Sequence, residues 1–272
     1  MIMVKNFKIN YMEKIISAYI WAWTNYEAGD KAIGTLKKYY PDSDIFINVD
    51  YDGDVENYKK VAEKYKAELT VNNFQVGYCG DFGDVIVGKP CWTREETFEW
   101  IRGLYEACKK CTTKYIMILE EDNYLLKELS ILNTDFSMAI HASAPSATGT
   151  YRPNYLPNEF MLYSYNLGGL ASAITYGAGG GCIFKPDEFV KSWEKCREPL
   201  WNDYDTLKSI NKIIGWQDFI VQFVMMIGGY DLIENLYTAQ PWEDPNWLGG
   251  KNYLGQEYEM VCGLKEHSII KL

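Results

Sequence analysis

The sequence predicts an α/β protein built on a mostly parallel central sheet with helices on both faces. Three observations carry that prediction. Strand and helix patterns alternate as β-α-β-α-β over residues 15–71, an order that joins parallel neighbours through helical crossovers. Thr93 and Glu96 then stand three apart ahead of an apolar stripe, as a capping box at a helix start requires. A short greasy strand, Tyr115–Leu119, follows that helix and runs straight into Glu120, Glu121 and Asp122.

Ile15–Ala22 is apolar and aromatic and gives way to Asn25 and a polar turn. Lys31–Tyr40 reads as a helix closed by Pro41. Asp44–Val49 is the second strand, ending at Asp50. The Asp52-Gly53-Asp54 turn leads into a helix over Val55–Lys66, and Ala67–Val71 is a third strand. A glycine-rich, aromatic stretch from Gly77 to Cys91 reads as loop. In the helix opened by Thr93, residues Phe98, Ile101, Leu104, Tyr105 and Cys108 recur at helical spacing and form one buried stripe.

Beyond the acids, Phe136–His141 is a further strand. Residues 142–181 are rich in Gly, Ser, Pro, Asn and Tyr; too long for an ordinary connection, they read as a binding loop or a mobile segment. Cys182–Phe184 is a short strand, and Pro186 opens a helix that reaches about Cys196. A helix over Trp216–Ile227 ends at Gly228-Gly229, and strand Tyr230–Ile233 precedes an irregular tail rich in Trp and Tyr. No repeat or linker divides the chain, so residues 1–272 are read as one domain.

With 272 residues, 47% of them hydrophobic, the chain can bury a large core. Its formal charge of -10 argues against nucleic acid as a partner, since no Lys/Arg stripe is there to displace counterions, and disfavours anionic membranes for the same reason. The N-terminus lacks the apolar core of a signal peptide, and no apolar run is long enough for a transmembrane segment. Seven scattered cysteines fit a reducing compartment, so a cytoplasmic location is expected. Only Cys108 and Cys111 form a CxxC. Without a second pair they do not make a zinc site; they read as helix-end thiols packed on the sheet, or as a redox pair.

Most of the functional reading grows from residues 120–122. Carboxylates delivered to the rim of a sheet by a buried strand can hold a hard divalent cation. Alternate strand residues face opposite ways, so Glu120 and Asp122 share a side and Glu121 points away, towards a loop or solvent. In a chain this acidic, a cation would also let a phosphate-bearing ligand approach. The plainer reading of the same triplet is a solvated strand end.

In this motif order the chain resembles nucleotide-sugar-dependent glycosyltransferases of the GT-A (Rossmann-like) fold, over residues 13–235. Such enzymes carry a DxD motif at the end of a central strand, and Glu120-Glu121-Asp122 is a variant of it. The resemblance implies a nucleotide-sugar-binding half at residues 13–135, and an acceptor-side half with an irregular C-terminal region at residues 136–272. It implies Mn2+ or Mg2+ held by Asp122, with Glu120 as a second ligand or facing the ribose or metal-bound water, and with His267 as a late histidine ligand. Asp50 would recognise the nucleotide base. Asn25, Arg94 and Glu121 join it on the donor side.

Trp216-Gln217-Asp218 matches the xED-like motif of inverting members, with Gln217 in the first acidic position and Asp218 as the catalytic base. Gly179, Gly180 and Gly181 resemble the segment that shapes the donor–acceptor junction. The implied reaction moves a sugar from a nucleoside diphosphate, most commonly UDP, to a hydroxyl of a glycan or glycoconjugate. The acceptor can be membrane-borne, met transiently.

Elementary chemistry leaves second readings beside these. Asp218 is also what a helix N-terminus favours. The glycines at 177 and 179–181 suit either close ligand approach or a tight turn. Arg94 and Lys89 offset phosphate charge or form surface salt bridges, and His141 reads as a core histidine. Aromatic rings suit the apolar faces of sugars, and Trp216, Tyr163, Tyr165 and Trp242 flank loops near the proposed site.

Two other classes stay open. One is a non-catalytic carbohydrate-binding or scaffold protein of glycosyltransferase ancestry, which the departures at Glu120 and Gln217 keep in play. The other is a sugar-phosphate nucleotidyltransferase. Against it stands Trp21-Ala22-Trp23-Thr24-Asn25, where a Gly-rich basic loop would be expected.

Overall fold

Strands β1 (Ile16–Ala22), β2 (Ile45–Asp50) and β3 (Glu68–Asn72) are parallel neighbours, joined through helices α1 (Tyr26–Tyr39) and α2 (Val55–Tyr65). The computed structural model describes residues 14–22, 24–73, 93–141, 163–165, 169–171, 180–210, 217–235, 238–239 and 257–261. Helix α3 (Arg94–Lys110) returns the chain to β4 (Tyr115–Ile118), which pairs parallel with the other side of β1. β2 and β4 are buried along their whole length and β1 nearly so. This is why they read as continuous apolar runs rather than as alternating ones.

After β4 the chain forms β5 (Tyr124–Leu125), a 3-10 turn at Ser130–Asn133 and β6 (Met138–His141). β7 (Tyr163–Tyr165) and β8 (Gly169–Ala171) pair antiparallel with each other. β9 (Ile183–Phe184) inserts antiparallel between β4 and β6. Helices α4 (Pro186–Ile210) and α5 (Gln217–Ile227) follow, then β10 (Leu232–Asn235), parallel to β6. The seven-stranded sheet runs β10-β6-β9-β4-β1-β2-β3. β11 (Thr238–Ala239) and β12 (Met260–Val261) join β5 in a small second sheet.

The period-two alternation of the strands divides the core into two layers. Tyr19, Phe46, Ile116 and Ile118 face α3, α4 and α5 with Trp100, Leu104, Phe189, Trp193 and Phe223. Ala18, Ile20, Ile47 and Met117 face α1 and α2 with Ile33, Leu36, Tyr58 and Val61. Gly103 lets α3 approach the sheet. A Cβ there would lie 2.6 Å from the Tyr19 hydroxyl and overlap the Asn48 amide, which donates to that hydroxyl.

Three expectations are corrected. Helix α1 starts at Tyr26, not Lys31: Asn25 caps it by accepting from the Ala28 N–H at 3.3 Å. Gly29 is tolerated inside because a Cβ there would meet the Tyr58 hydroxyl at 2.8 Å. Helix α4 continues past Cys196 to Ile210 and through Pro199. Pro199 removes one helical hydrogen bond, but Leu200 and Tyr204 beyond it are fully buried against the core, and that burial carries the helix on. Residues 142–181 include the β7–β8 pair, whose three-residue strands are too short to show a period.

β6 and β10 both oppose β9, as β4 does, so six strands point one way and their carboxyl ends share one edge. The chain enters β9 at that edge through Gly180-Gly181. Helix α5 leads down to β10, so its first residues, Gln217 and Asp218, start at the same edge.

Candidate functional site

The three acids form a tight turn where β4 ends. The Asn123 N–H donates to the Glu120 carbonyl at 3.1 Å, and the Glu120 N–H donates back to Asn123 Oδ1 at 3.1 Å. Asn123 Nδ2 donates to Asp122 Oδ1 at 2.8 Å. The Tyr124 hydroxyl closes the turn from outside by donating to the Glu121 carbonyl at 2.9 Å.

The glycine segment passes directly over this turn. The Gly181 N–H bonds the Ile118 carbonyl at 2.7 Å, and its φ of 87° is a left-handed conformation that favours glycine. Gly180 is required for space instead. A Cβ there would lie 2.5 Å from Glu120 Oε2 and overlap Asn123 Oδ1.

Strand alternation does not reach the acids, because β4 ends at Ile118 and Glu121 and Asp122 lie in the turn; Glu121 is directed neither to a loop nor to solvent. Its carboxylate accepts a short hydrogen bond from the buried Tyr58 hydroxyl of α2. Burial and the adjacent Glu121 charge push the Tyr58 phenol far above its ordinary range. The same hydroxyl lies 3.2 Å from the Asn25 carbonyl, so Tyr58 ties the acid turn to the start of α1.

Asp50 ends β2, only 3% exposed, and accepts from Asn72 Nδ2 at 3.1 Å. Asn72 ends β3 at 2% exposure, and among the described residues its Oδ1 has no partner. An orphaned buried acceptor at the carboxyl end of a parallel sheet is the kind of atom a bound ligand satisfies. Tyr51, next along, is 57% exposed.

The remaining candidates divide. Arg94 opens α3 and is given to α4: it pairs with Asp205 and stands 5.3 Å over the Trp201 ring. The backbone of Gln217 and Asp218 starts α5, and that of Tyr163 and Tyr165 forms β7; their side chains lie outside the described residues. Gly177, Gly179, Lys89, Trp216, Trp242 and His267 also lie outside them. Cys108 is buried in the core, which raises its thiol well above the ordinary value, and Cys111 Sγ sits 3.1 Å from the Thr113 hydroxyl. Both are helix-end thiols packed on the sheet. A groove of about 650 Å³ between α3 and α4 is lined by Phe98, Arg102, Trp193 and Trp201 among others, none of them a predicted site residue.

Sequence reasoning missed Asn123, Tyr58 and Asn72. For Asn123 a signal existed: Asn directly after a strand-end run is the residue that bonds nearby backbone in turns. Tyr58 and Asn72 carried none, because their partners are 63 and 22 positions away.

The donor chemistry fits a hard divalent cation. Two carboxylates, Glu120 and Asp122, stand on one turn, and Gly180 places no side chain against Glu120. Among the described residues no three His, Cys, Asp or Glu side chains gather into a metal cluster. Oxygens of water and ligand would join these two carboxylates in the shell of a bound cation.

No protein-family profile matches the chain, and no curated protein matches it in sequence. Solved structures do. The galactosyltransferase LgtC in complex with donor and acceptor sugar analogs aligns over 92% of this chain and 87% of its own, with TM-score 0.51 and 13% identity. An active-site mutant of LgtC aligns over 91% and 87%, with TM-score 0.51 and 12% identity. The element order, the reversed β9 and these alignments together give the chain the α/β fold of the GT-A glycosyltransferases.

Proposed function

We propose that this chain is a glycosyltransferase that moves a sugar from a nucleoside diphosphate, UDP first among the nucleotides, to a hydroxyl of a glycan or glycoconjugate. The observation that carries this reading is the acid turn. Asp122 and Glu120 stand in the turn at the carboxyl end of central strand β4, with Gly180 close against Glu120, in a GT-A fold.

Asp122 would hold Mn2+ or Mg2+ with Glu120 beside it, and His267 is the proposed third protein ligand. A cation there reverses the sign of an acidic site and stabilises charge on the departing nucleotide. Asp50, oriented by Asn72, accepts a hydrogen bond from the base. Asn25 closes the donor side where β1 passes into α1. Asp218 takes the proton of the acceptor hydroxyl as it attacks, so the product is inverted. Gly179 to Gly181 allow close approach of donor and acceptor, and Tyr163, Tyr165, Trp216 and Trp242 offer ring faces to sugars.

We place the reaction in the cytoplasm. The free thiols Cys108, Cys111, Cys182 and Cys196 support a reducing compartment. Among the described residues no helix is long and apolar enough to cross a membrane, so a lipid-linked acceptor would be met transiently at its surface.

A panel of nucleotide sugars, screened with Mn2+ for nucleotide release, tests the assignment. One donor is expected to turn over, and Asp122→Asn to abolish the release. Donor binding with no turnover would favour the non-catalytic reading. Pyrophosphate release from a nucleoside triphosphate plus sugar phosphate would favour the nucleotidyltransferase.

A further inference from the structure

We propose that Asn123 is a positioning residue: its carboxamide fixes the orientation in which Asp122 presents its carboxylate to a divalent cation. This rests on the functional reading of the acid turn.

Asn123 is completely buried beside three half-buried acids. A buried amide costs stability unless its polar atoms are bonded, and here each bond has a separate task. The backbone N–H, donating to the Glu120 carbonyl, already closes the turn. Oδ1 accepts the Glu120 N–H and locks the strand end. The Nδ2 bond to Asp122 Oδ1 is not needed to close the turn; what it fixes is the torsion of one carboxylate.

The chemistry of the donor matters as well. Lys or Arg would orient Asp122 too, but would cancel its charge and repel a cation. A neutral amide orients without neutralising.

Gly180 bears on the same group. A Cβ at 180 would overlap Asn123 Oδ1 and crowd Glu120. Glycine at 180 therefore leaves the Asn123 amide its place beside Glu120.

The experiment titrates Mn2+ into the full chain, alone and with UDP, GDP, ADP or dTDP, following the free-ion EPR signal. It compares wild type with Asn123→Ser, Gly180→Ala, Asp122→Asn and the N123S/D122N double variant. Serine keeps an oxygen for the Glu120 N–H but lacks the amide donor; G180A keeps every donor and displaces the amide.

N123S is expected to bind Mn2+ roughly 10–100-fold more weakly, the usual cost of losing the partner of a metal ligand, with metal-free nucleotide binding unchanged. G180A should weaken it in the same direction. In the double variant the N123S change should add nothing to the loss from D122N. Wild-type Mn2+ affinity in a folded N123S, whatever its melting temperature, would reduce Asn123 to a structural role. Should N123S fail to fold, G180A decides by the same readout, and wild-type affinity there overturns the proposal. A wild-type chain that takes up no Mn2+ with any nucleotide removes the functional reading, and the positioning role goes with it.

Discussion

Tyr58 shows how a residue can hold a site without belonging to it. Its hydroxyl donates to Glu121 and lies beside the Asn25 carbonyl, fastening β4 to α1 through α2. Tyr58→Phe deprives a half-buried carboxylate of this donor, and is expected to cost about 1–3 kcal/mol in urea unfolding. The pH dependence has a definite sign. Burial, then Glu121, raise the folded phenol above its unfolded value, so its contribution is complete below about pH 10 and is lost as pH rises further. Stability of the wild type should fall more steeply than that of Y58F above that pH; equal slopes would contradict the assignment. The strand period was extended over the three acids, but β4 stops at Ile118 and the acids turn instead. It could not indicate what receives Glu121, because alternation is local and the contact is not.

At the scale of elements, legibility followed local chemistry. Helix α3 begins where Thr93 and Glu96 predict it, with both capping-box bonds formed. Helix α1 begins five residues before the reading placed it, since Gly29 and Asp30 interrupt the apolar period and only contact with Tyr58 explains the glycine. Pro199 hid the length of α4 in the same way, burial overriding a local break. Gly103 was unmarked in the sequence, yet it sets how closely α3 lies on β1 and β2. Gly103→Ala should overpack Tyr19 and Asn48 and cost about 1–3 kcal/mol, read as a lower denaturant midpoint at unchanged slope. A midpoint equal to wild type would mean the helix can shift outward freely.

Over the whole molecule, the topology does what no single motif could. The alternating start and the acid-ended strand were enough to predict the sheet class and the β4 rim. The reversal of β9 was not legible in a two-residue strand, and it is this reversal that carries Gly180 over Glu120. It also sets β6 and β10 parallel to β4, so the first residues of α5 start at the edge that bears the acids. Asp218→Asn should therefore leave donor binding nearly intact and lower turnover by about 10²–10⁴-fold, the usual worth of a general base. Retained activity in D218A, or a product of retained anomeric configuration by NMR, would remove both that role and the inverting assignment.

The central claim is that the β4 acid turn binds a cation and a nucleoside diphosphate together. Calorimetric titration of UDP with and without Mn2+, on wild type and on Asp122→Asn, tests it most directly. Each ligand should tighten the binding of the other in the wild type, and that coupling should vanish in the variant. Binding of either one that ignores the other, or coupling that survives loss of the Asp122 charge, would contradict it.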